Sequence, residues 1–95
     1  LLNKMKSIIY KVTTPNGIHA RPASLLVREI NKFKCKSVIK KGEKTVNAKE
    51  ILAIMSLGIK QGDTITITFY GEDEKEASAA VEKFLKNASA SDHIN

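Results

Sequence analysis

The sequence has few of the residues from which many functional sites are built. Its single cysteine, Cys35, excludes an internal disulfide and a cysteine-based metal cluster, and neither a metal-ligand cluster nor a cofactor motif is visible. Tryptophan is absent and aromatic residues make up 5% of the chain, so there is no aromatic platform on which nucleic-acid bases could stack. No apolar run reaches the length of a membrane-spanning helix, and we expect no membrane insertion.

The length and charge of the chain indicate what remains. At 95 residues, the chain suits a single domain over residues 1–95 with one core, so function is expected on its surface. The first residues, LLNKMK, lack the segments of a secretory leader, which predicts a cytoplasmic protein. The net charge of +6 favours an acidic partner: nucleic acid, an anionic surface or an acidic protein. Because stacking aromatics are missing, we expect no nucleic-acid partner.

Four segments have the composition and alternation of β-strands. In the most regular one, Ile65, Ile67 and Phe69 are predicted to face the core while the intervening threonines face solvent. Two others flank a turn at Gly42 and predict a hairpin. The predicted strands are residues 5–12, 35–40, 44–48 and 63–70.

Three segments have helical periodicity. A first helix is predicted to begin near Ala20 and to run for about three and a half turns, to Phe33. A short second helix over 51–57 precedes Gly58, and a third begins with a capping-box-like Asp73 and Glu76. Polar residues after Asn87 predict a frayed tail at 89–95.

The order of these elements, β-α-β-β-α-β-α, predicts an α+β fold. Strands with one apolar face and helices with one apolar stripe bury both surfaces when the helices pack on one side of a sheet. The short second helix is apolar nearly all round and cannot bury every side. Some of Ile51, Leu52 and Met55 are therefore expected to be exposed as a contact surface.

The stretch GIHARPAS at 17–24 predicts a site for an anion. If the first helix begins near Ala20, then His19 lies at its N-terminus, where unpaired amides and the helix dipole attract negative charge. Arg21 adds a planar cation suited to phosphate oxygens, and Pro22 lacks an N–H that an early helical position does not need. These positive surroundings should keep the imidazole neutral and nucleophilic. A lone His beside an Arg is, without further context, more often structural.

The sequence shows no other part of a self-contained enzyme. No Ser-His-Asp set, paired catalytic carboxylates or phosphate-cradling glycine loop is visible. The chemistry expected is that of a group acceptor and donor, with a partner supplying the rest of the active site.

Three blocks together resemble one family. GIHARPAS, KTVNAKEILAIMSLGIKQGD and TITITFYGEDE are similar to the HPr family, the histidine-containing phosphocarriers of the bacterial phosphoenolpyruvate-dependent sugar phosphotransferase system. The resemblance covers roughly residues 8–88. It implies an open-faced β-sandwich in which three helices cover one face of a four-stranded antiparallel sheet.

The resemblance also implies roles for particular residues. His19 matches the histidine that accepts a phosphoryl group on Nδ1 from phosphorylated enzyme I and donates it to a sugar-specific enzyme IIA. Arg21 matches the arginine that stabilises the phosphoryl group, and the amides of Ala20 and Arg21 complete the phosphate site. A monomer is expected, since a carrier shows the same face to successive partners. The partner surface implied by the family corresponds to Leu25, Arg28, Lys49, Ile51, Leu52 and Met55.

The sequence departs from the family at one position. Many relatives carry a regulatory serine at the start of the second helix, through which the carrier is switched toward transcriptional control and a catabolite regulator. Glu50 occupies that position here and cannot be phosphorylated there. We expect it to stabilise the helix dipole modestly; weak mimicry of phosphoserine is the less favoured alternative.

Two other functions compete with the phosphocarrier. One is a regulatory paralogue that acts as a docking module or transcriptional co-effector and transfers no phosphoryl group. The intact His19 and Arg21 speak against it, because a docking module needs no nucleophile. The other is a basic nucleic-acid-binding domain, which the missing aromatic platform disfavours.

Overall fold

A computed structural model describes residues 5–18 and 20–94, with side chains to residue 88. It shows an α+β fold in which a layer of helices packs on a layer of strands. Four antiparallel strands form one sheet in the order β1-β4-β2-β3. The helices cover one face of this sheet, as predicted. The elements are β1 (Met5–Lys11), α1 (Ala20–Ile30), β2 (Lys36–Lys41), β3 (Lys44–Asn47), α2 (Ile51–Met55), β4 (Thr64–Tyr70) and α3 (Glu74–Ile94).

The core lies between the sheet and the helices. In β4, which is central in the sheet, Ile65, Ile67 and Phe69 are fully buried, while the threonines between them face the other side. The predicted alternation of buried and outward-facing residues in this strand is confirmed. Leu26 of α1 and Val81 of α3 bury their side chains in the same core cluster.

Three helix ends differ from the predictions. Helix α1 ends at Ile30, after which the amides of Lys32 and Phe33 donate three residues back, to the carbonyls of Glu29 (3.3 Å) and Ile30 (3.1 Å), as in the tightened last turn of a helix. Helix α2 ends at Met55, earlier than predicted. Helix α3 continues to Ile94, past the predicted start of the frayed tail, since the segment after Asn87 contains no glycine or proline to interrupt it.

Asp73 precedes α3, but its carboxylate does not close the predicted capping box. Its oxygens accept hydrogen bonds from the backbone amides of Lys34 (2.8 Å) and Cys35 (3.0 Å), which enter β2. These bonds, above all that from Lys34, hold the pKa of the Asp73 carboxyl below its usual value. Asp73 thus ties the start of α3 to the start of β2.

Candidate functional site

The loop between β1 and α1 leads into the predicted phosphoryl site and is fastened at both ends. The Val12 amide donates to the Asp63 carbonyl (2.8 Å), and the Gly62 amide donates back to the Val12 carbonyl (2.8 Å). At the other end the Ile18 amide donates to the Ile59 carbonyl (3.1 Å). The segment that enters β4 therefore fixes the chain one residue before His19.

Gly17 allows this close approach. Its φ of +66° lies in the left-handed region, and a Cβ there would overlap the Ile59 carbonyl oxygen and lie 2.7 Å from the Lys60 Cα. Thr14 closes the loop, because its hydroxyl donates to the Gly17 carbonyl (2.9 Å) while its own carbonyl accepts from the Gly17 amide (3.0 Å). Any residue other than glycine would therefore displace the segment of Ile59 and Lys60.

Helix α1 begins at Ala20, as predicted. Its first turn contains no acidic residue, and its opening amides, including those of Ala20 and Arg21, have no acceptor within an α-helix. Arg21 is exposed in this turn, and Pro22 occupies an early position that needs no N–H. His19, the predicted phosphoryl acceptor, lies outside the described residues. The described surroundings are those of an anion-binding helix N-terminus with an adjacent guanidinium.

A cleft of about 670 Å³ lies beside this helix start. Arg21 and Leu25 of α1 line one side, Ile18 lies in the loop, and Phe84 and Leu85 of α3 line the other side. The cleft is mainly apolar, and Arg21 is the charged residue among the described residues that line it. The cleft therefore adjoins the start of α1, where the anion site is predicted.

The apolar side chains predicted for partner docking are at the surface. Helices α1 and α2 pack against each other, and Ile54 is the residue of α2 that is buried. Leu52 is 81% exposed, and Leu25, Ile51 and Met55 are 38–40% exposed. The prediction that a two-turn apolar helix leaves some of its side chains uncovered is confirmed.

The two predicted basic docking residues differ in their surroundings. Arg28 is exposed on α1. Lys49 is half-buried, and its ammonium donates to the Phe33 carbonyl (2.7 Å), while its own carbonyl accepts from Asn31 (3.3 Å). Lys49 therefore joins the end of α1 to the start of α2, a structural task that its charge alone did not indicate.

Glu50 occupies the N-cap position of α2. Its backbone is extended (φ −125°, ψ 121°), and its exposed side chain makes no capping hydrogen bond to the first-turn amides. The Glu50 carbonyl accepts from the Ile54 amide (3.1 Å) and so begins the helical hydrogen bonding. Its carboxylate therefore lies near the positive end of the α2 dipole without making a local hydrogen bond.

Cys35 is buried, and burial raises the pKa of its thiol. Within the described residues, no group of three or more His, Cys, Asp and Glu side chains is arranged to hold a metal ion. None of the described helices is both long enough and apolar enough to span a membrane.

The sequence predicted the residues at the start of α1 but not the contact of the preceding loop with Ile59. The dipeptide Asn16-Gly17 is typical of a turn, but the sequence does not show that Ile59 approaches this turn. The sequence signal for this approach was Gly17 itself, two residues before His19. Glycine adopts a left-handed backbone far more readily than other residues, and it has no side chain to block a neighbouring segment.

The comparisons with known proteins agree with this arrangement. The family model PTS-HPr, "PTS HPr component phosphorylation site", matches residues 6–87. These include the loop, the start of α1 and the exposed surface formed by Leu25, Arg28, Ile51, Leu52 and Met55, which we call the α1–α2 surface. The chain belongs to the HPr family. It is 47% identical over 83 residues to the phosphocarrier protein HPr of Mycoplasma pneumoniae, an alignment that covers 86% of this chain and 94% of the relative.

Two further similarities delimit the family resemblance. The chain is 45% identical over 76 residues to the HPr-like protein Crh of Halalkalibacterium halodurans, covering 80% of this chain and 90% of the relative. The crystal structure of HPr-C-His from Thermoanaerobacter tengcongensis superimposes with a TM-score of 0.84 at 36% identity, covering 90% of this chain and 96% of that one. This HPr-family member is thus similar both to phosphocarriers and to an HPr-like protein.

Proposed function

We propose that this HPr-family member accepts a phosphoryl group on Nδ1 of His19 from phosphorylated enzyme I and donates it to a sugar-specific enzyme IIA. The observation that carries the proposal is the start of α1 directly after His19. There Arg21 and the opening amides form an anion site in a turn without acidic residues. A transferring phosphoryl group brings two negative charges to this place.

The transfer needs little from the carrier itself. The lone pair of the neutral Nδ1 attacks the phosphorus, and the bond between phosphorus and the donor breaks as the bond to nitrogen forms. Arg21 can stabilise charge on the phosphoryl oxygens through two N–H groups, and the helix amides supply further donors. Donation to the next protein reverses these steps, so the carrier gains and loses one phosphoryl group and is not a catalyst on its own.

The α1–α2 surface is proposed to receive both partners in turn. Its exposed centre contains Leu25, Leu52 and Met55, and Arg28 lies at its edge. Apolar contact at the centre supplies affinity, while the basic residue speeds encounter with an acidic partner. A small interface of this kind releases quickly, which a carrier between two proteins requires.

The test of the proposal is incubation with enzyme I and labelled phosphoenolpyruvate. We expect an acid-labile label on the chain, no label on a His19→Ala variant, and slower labelling of an Arg21→Gln variant. A Lys75→Gln variant removes the same charge from the exposed surface of α3 and serves as the control that labels normally. Label that persists in His19→Ala would contradict the proposed acceptor.

A regulatory docking module is the second candidate function. The similarity to the HPr-like protein Crh and the exposed α1–α2 surface favour it. The two candidates differ in their need for a nucleophile: docking to a regulator would survive His19→Ala, whereas phosphoryl transfer would not. If a cognate enzyme I leaves no label on the chain, this second function becomes the better one.

Glu50 is proposed to act on the dipole of α2 and not as a mimic of phosphoserine. It carries one charge, against nearly two on phosphoserine, and its side chain makes no bond to the helix amides. Replacing Glu50 by Gln or by Ser is expected to leave the rate of phosphorylation by enzyme I unchanged. A clear increase in that rate in both variants would support mimicry instead.

A further inference from the structure

The face of the sheet that lies opposite the helices is uncovered and basic. We call it the open sheet face; its central rows are given by the strand register, in which Ile9 pairs with Thr66 and Thr66 pairs with Lys40. One end is formed by Tyr70, which pairs with Lys36. Paired residues point to the same side of a sheet, so these side chains share one surface.

The charge of the protein is concentrated in this sheet. The four strands contain six lysines and no aspartate or glutamate. Because the net charge of the whole chain is +6, basic and acidic residues balance in the part outside the strands. Three of these lysines, Lys11, Lys36 and Lys40, belong to the open sheet face and are exposed. None of the three forms an ion pair with another described residue. The face therefore attracts anions that the chain itself does not supply.

The same face exposes large apolar side chains. Ile9 is 73% exposed, Met5 is 49% exposed and Tyr70, with which Met5 pairs, is 41% exposed. Lys36 and Lys40 lie four residues apart on one strand, which separates their backbone positions by about 13 Å. Apolar groups thus lie beside and between cations, on the face of the sheet that the helices leave free.

These features select among possible occupants. A second copy of the chain would place lysines against lysines, which is unfavourable. Single-stranded nucleic acid needs successive stacking partners, and Tyr70 is the one aromatic residue on the described part of this face. A membrane surface favours a continuous apolar patch, but a hydroxyl pair, Ser7 and Thr68 (2.8 Å), separates Ile9 from the other exposed apolar positions, Met5 and Tyr70. An acidic protein segment with interspersed apolar residues meets both the charges and the apolar groups.

We propose that the open sheet face docks an extended acidic segment of a partner protein. Its carboxylates pair with Lys11, Lys36 and Lys40, and its apolar side chains contact Ile9 and Tyr70. The proposal is independent of phosphoryl transfer, because this face lies across the sheet from α1 and α2. The protein can therefore hold such a partner while its α1–α2 surface is in use.

The size of the face sets the strength of the complex. The longest strands have seven residues and are roughly 24 Å long, and the four strands side by side are roughly 14 Å wide, so the face measures about 350 Å². This is less than half of the approximately 800 Å² that each partner contributes to a standard interface. The complex is therefore weak, in fast exchange and sensitive to salt.

The experiment is a titration of the isotope-labelled full chain, followed by the amide resonances of the strands. The probe is a short peptide of glutamate and leucine in a two-to-one ratio. The test variant is Lys11→Gln/Lys36→Gln/Lys40→Gln. The matched control, Lys75→Gln/Lys83→Gln/Lys86→Gln, removes the same charge from exposed positions of α3. A single-stranded oligouridylate and vesicles containing phosphatidylglycerol are titrated in parallel.

We expect resonance shifts along β1, β4 and β2, lost affinity at raised salt, and about tenfold weaker binding in the sheet variant, as removal of three exposed ion pairs predicts. The helix control should retain most of its affinity. Equal weakening in both variants would show a response to net charge alone and overturn the proposal. Shifts confined to α1 and α2, or tighter binding of the oligouridylate or the vesicles than of the peptide, would also overturn it.

Discussion

Three residues around the start of α1 have separable tasks in the proposed phosphoryl site. Arg21 supplies a permanent cation in a turn that contains no acidic residue. Gly17 supplies no side chain, and for that reason the loop can pass against Ile59 and Lys60. Because the Ile18 amide is bonded to Ile59, the position of this loop sets where the chain enters α1. A change at Gly17 would therefore disturb the site without altering any group that touches phosphate.

Gly17→Ala is expected to lower the free energy of unfolding by about 3 kcal/mol, from the left-handed backbone together with the overlap with Ile59. Gly42→Ala is the control, since Gly42 has a similar φ of +61° but open space around its Cβ position. It should cost only about 1 kcal/mol. Chemical denaturation of both variants measures the difference. Equal losses would mean that the approach of Ile59 does not matter.

At the scale of the helices, α2 leaves most of its apolar side chains at least partly uncovered. It is one of the shortest elements in the described structure, and Leu52, its most exposed apolar residue, contributes almost nothing to the core. Sequence patterning predicted this exposure because a two-turn helix cannot bury an apolar surface on all sides. It did not predict that Lys49 would bond to the Phe33 carbonyl, since such a contact depends on how α1 ends.

Leu52→Ala is expected to raise the KM of enzyme I for this carrier several-fold, because it removes an apolar contact from the centre of the proposed interface. The stability of the variant should change by less than about 0.5 kcal/mol, as for most exposed positions. Ile9→Ala is the matched control, since Ile9 is 73% exposed on the opposite face. An equal rise in KM for both variants would remove α2 from the interface.

Asp73 connects two elements, and its ionisation should be visible in the stability of the fold. Its pKa is lowered in the folded state by the hydrogen bonds from Lys34 and Cys35, so the folded protein binds this proton less readily than the unfolded chain. The resulting stability is complete above the usual carboxyl pKa of 3.8 and is lost as the pH falls through the lower folded value.

Asp73→Asn is therefore expected to reduce stability at neutral pH and to flatten its decline below about pH 4. Thermal unfolding across this range measures the effect. Glu76→Gln removes a carboxylate from the same helical turn while leaving both hydrogen bonds in place. If Glu76→Gln flattens the decline as much as Asp73→Asn, then the predicted capping box, and not the bridge to β2, stabilises this helix start.

For the molecule as a whole, the two layers were predictable while the connections between them were not. The alternation of Ile65, Ile67 and Phe69 determined the buried face of β4, and the helical stripe through Leu26 determined the buried face of α1. These patterns depend on local geometry alone. The bonds of Lys49 to the end of α1 and the bonds of Asp73 to the start of β2 join residues distant in sequence, so they became visible only in the folded structure.

The distribution of charge also becomes visible only at this scale. The sequence gives a net charge of +6 and its sign favours acidic partners, but the strands hold all of that excess. The helical layer, which contains the proposed phosphoryl site, is close to neutral apart from local groups such as Arg21. We infer that the two faces of the sandwich serve different partners.

The most direct test of the central claim is mass analysis of the intact chain and its peptides after incubation with enzyme I and phosphoenolpyruvate. The account predicts a mass increase of one phosphoryl group, located on His19 and lost after brief exposure to acid. It also predicts that adding a cognate sugar-specific enzyme IIA removes this group from the chain. An unmodified chain, or a phosphoryl group on any other residue, would contradict the phosphocarrier function proposed for this protein.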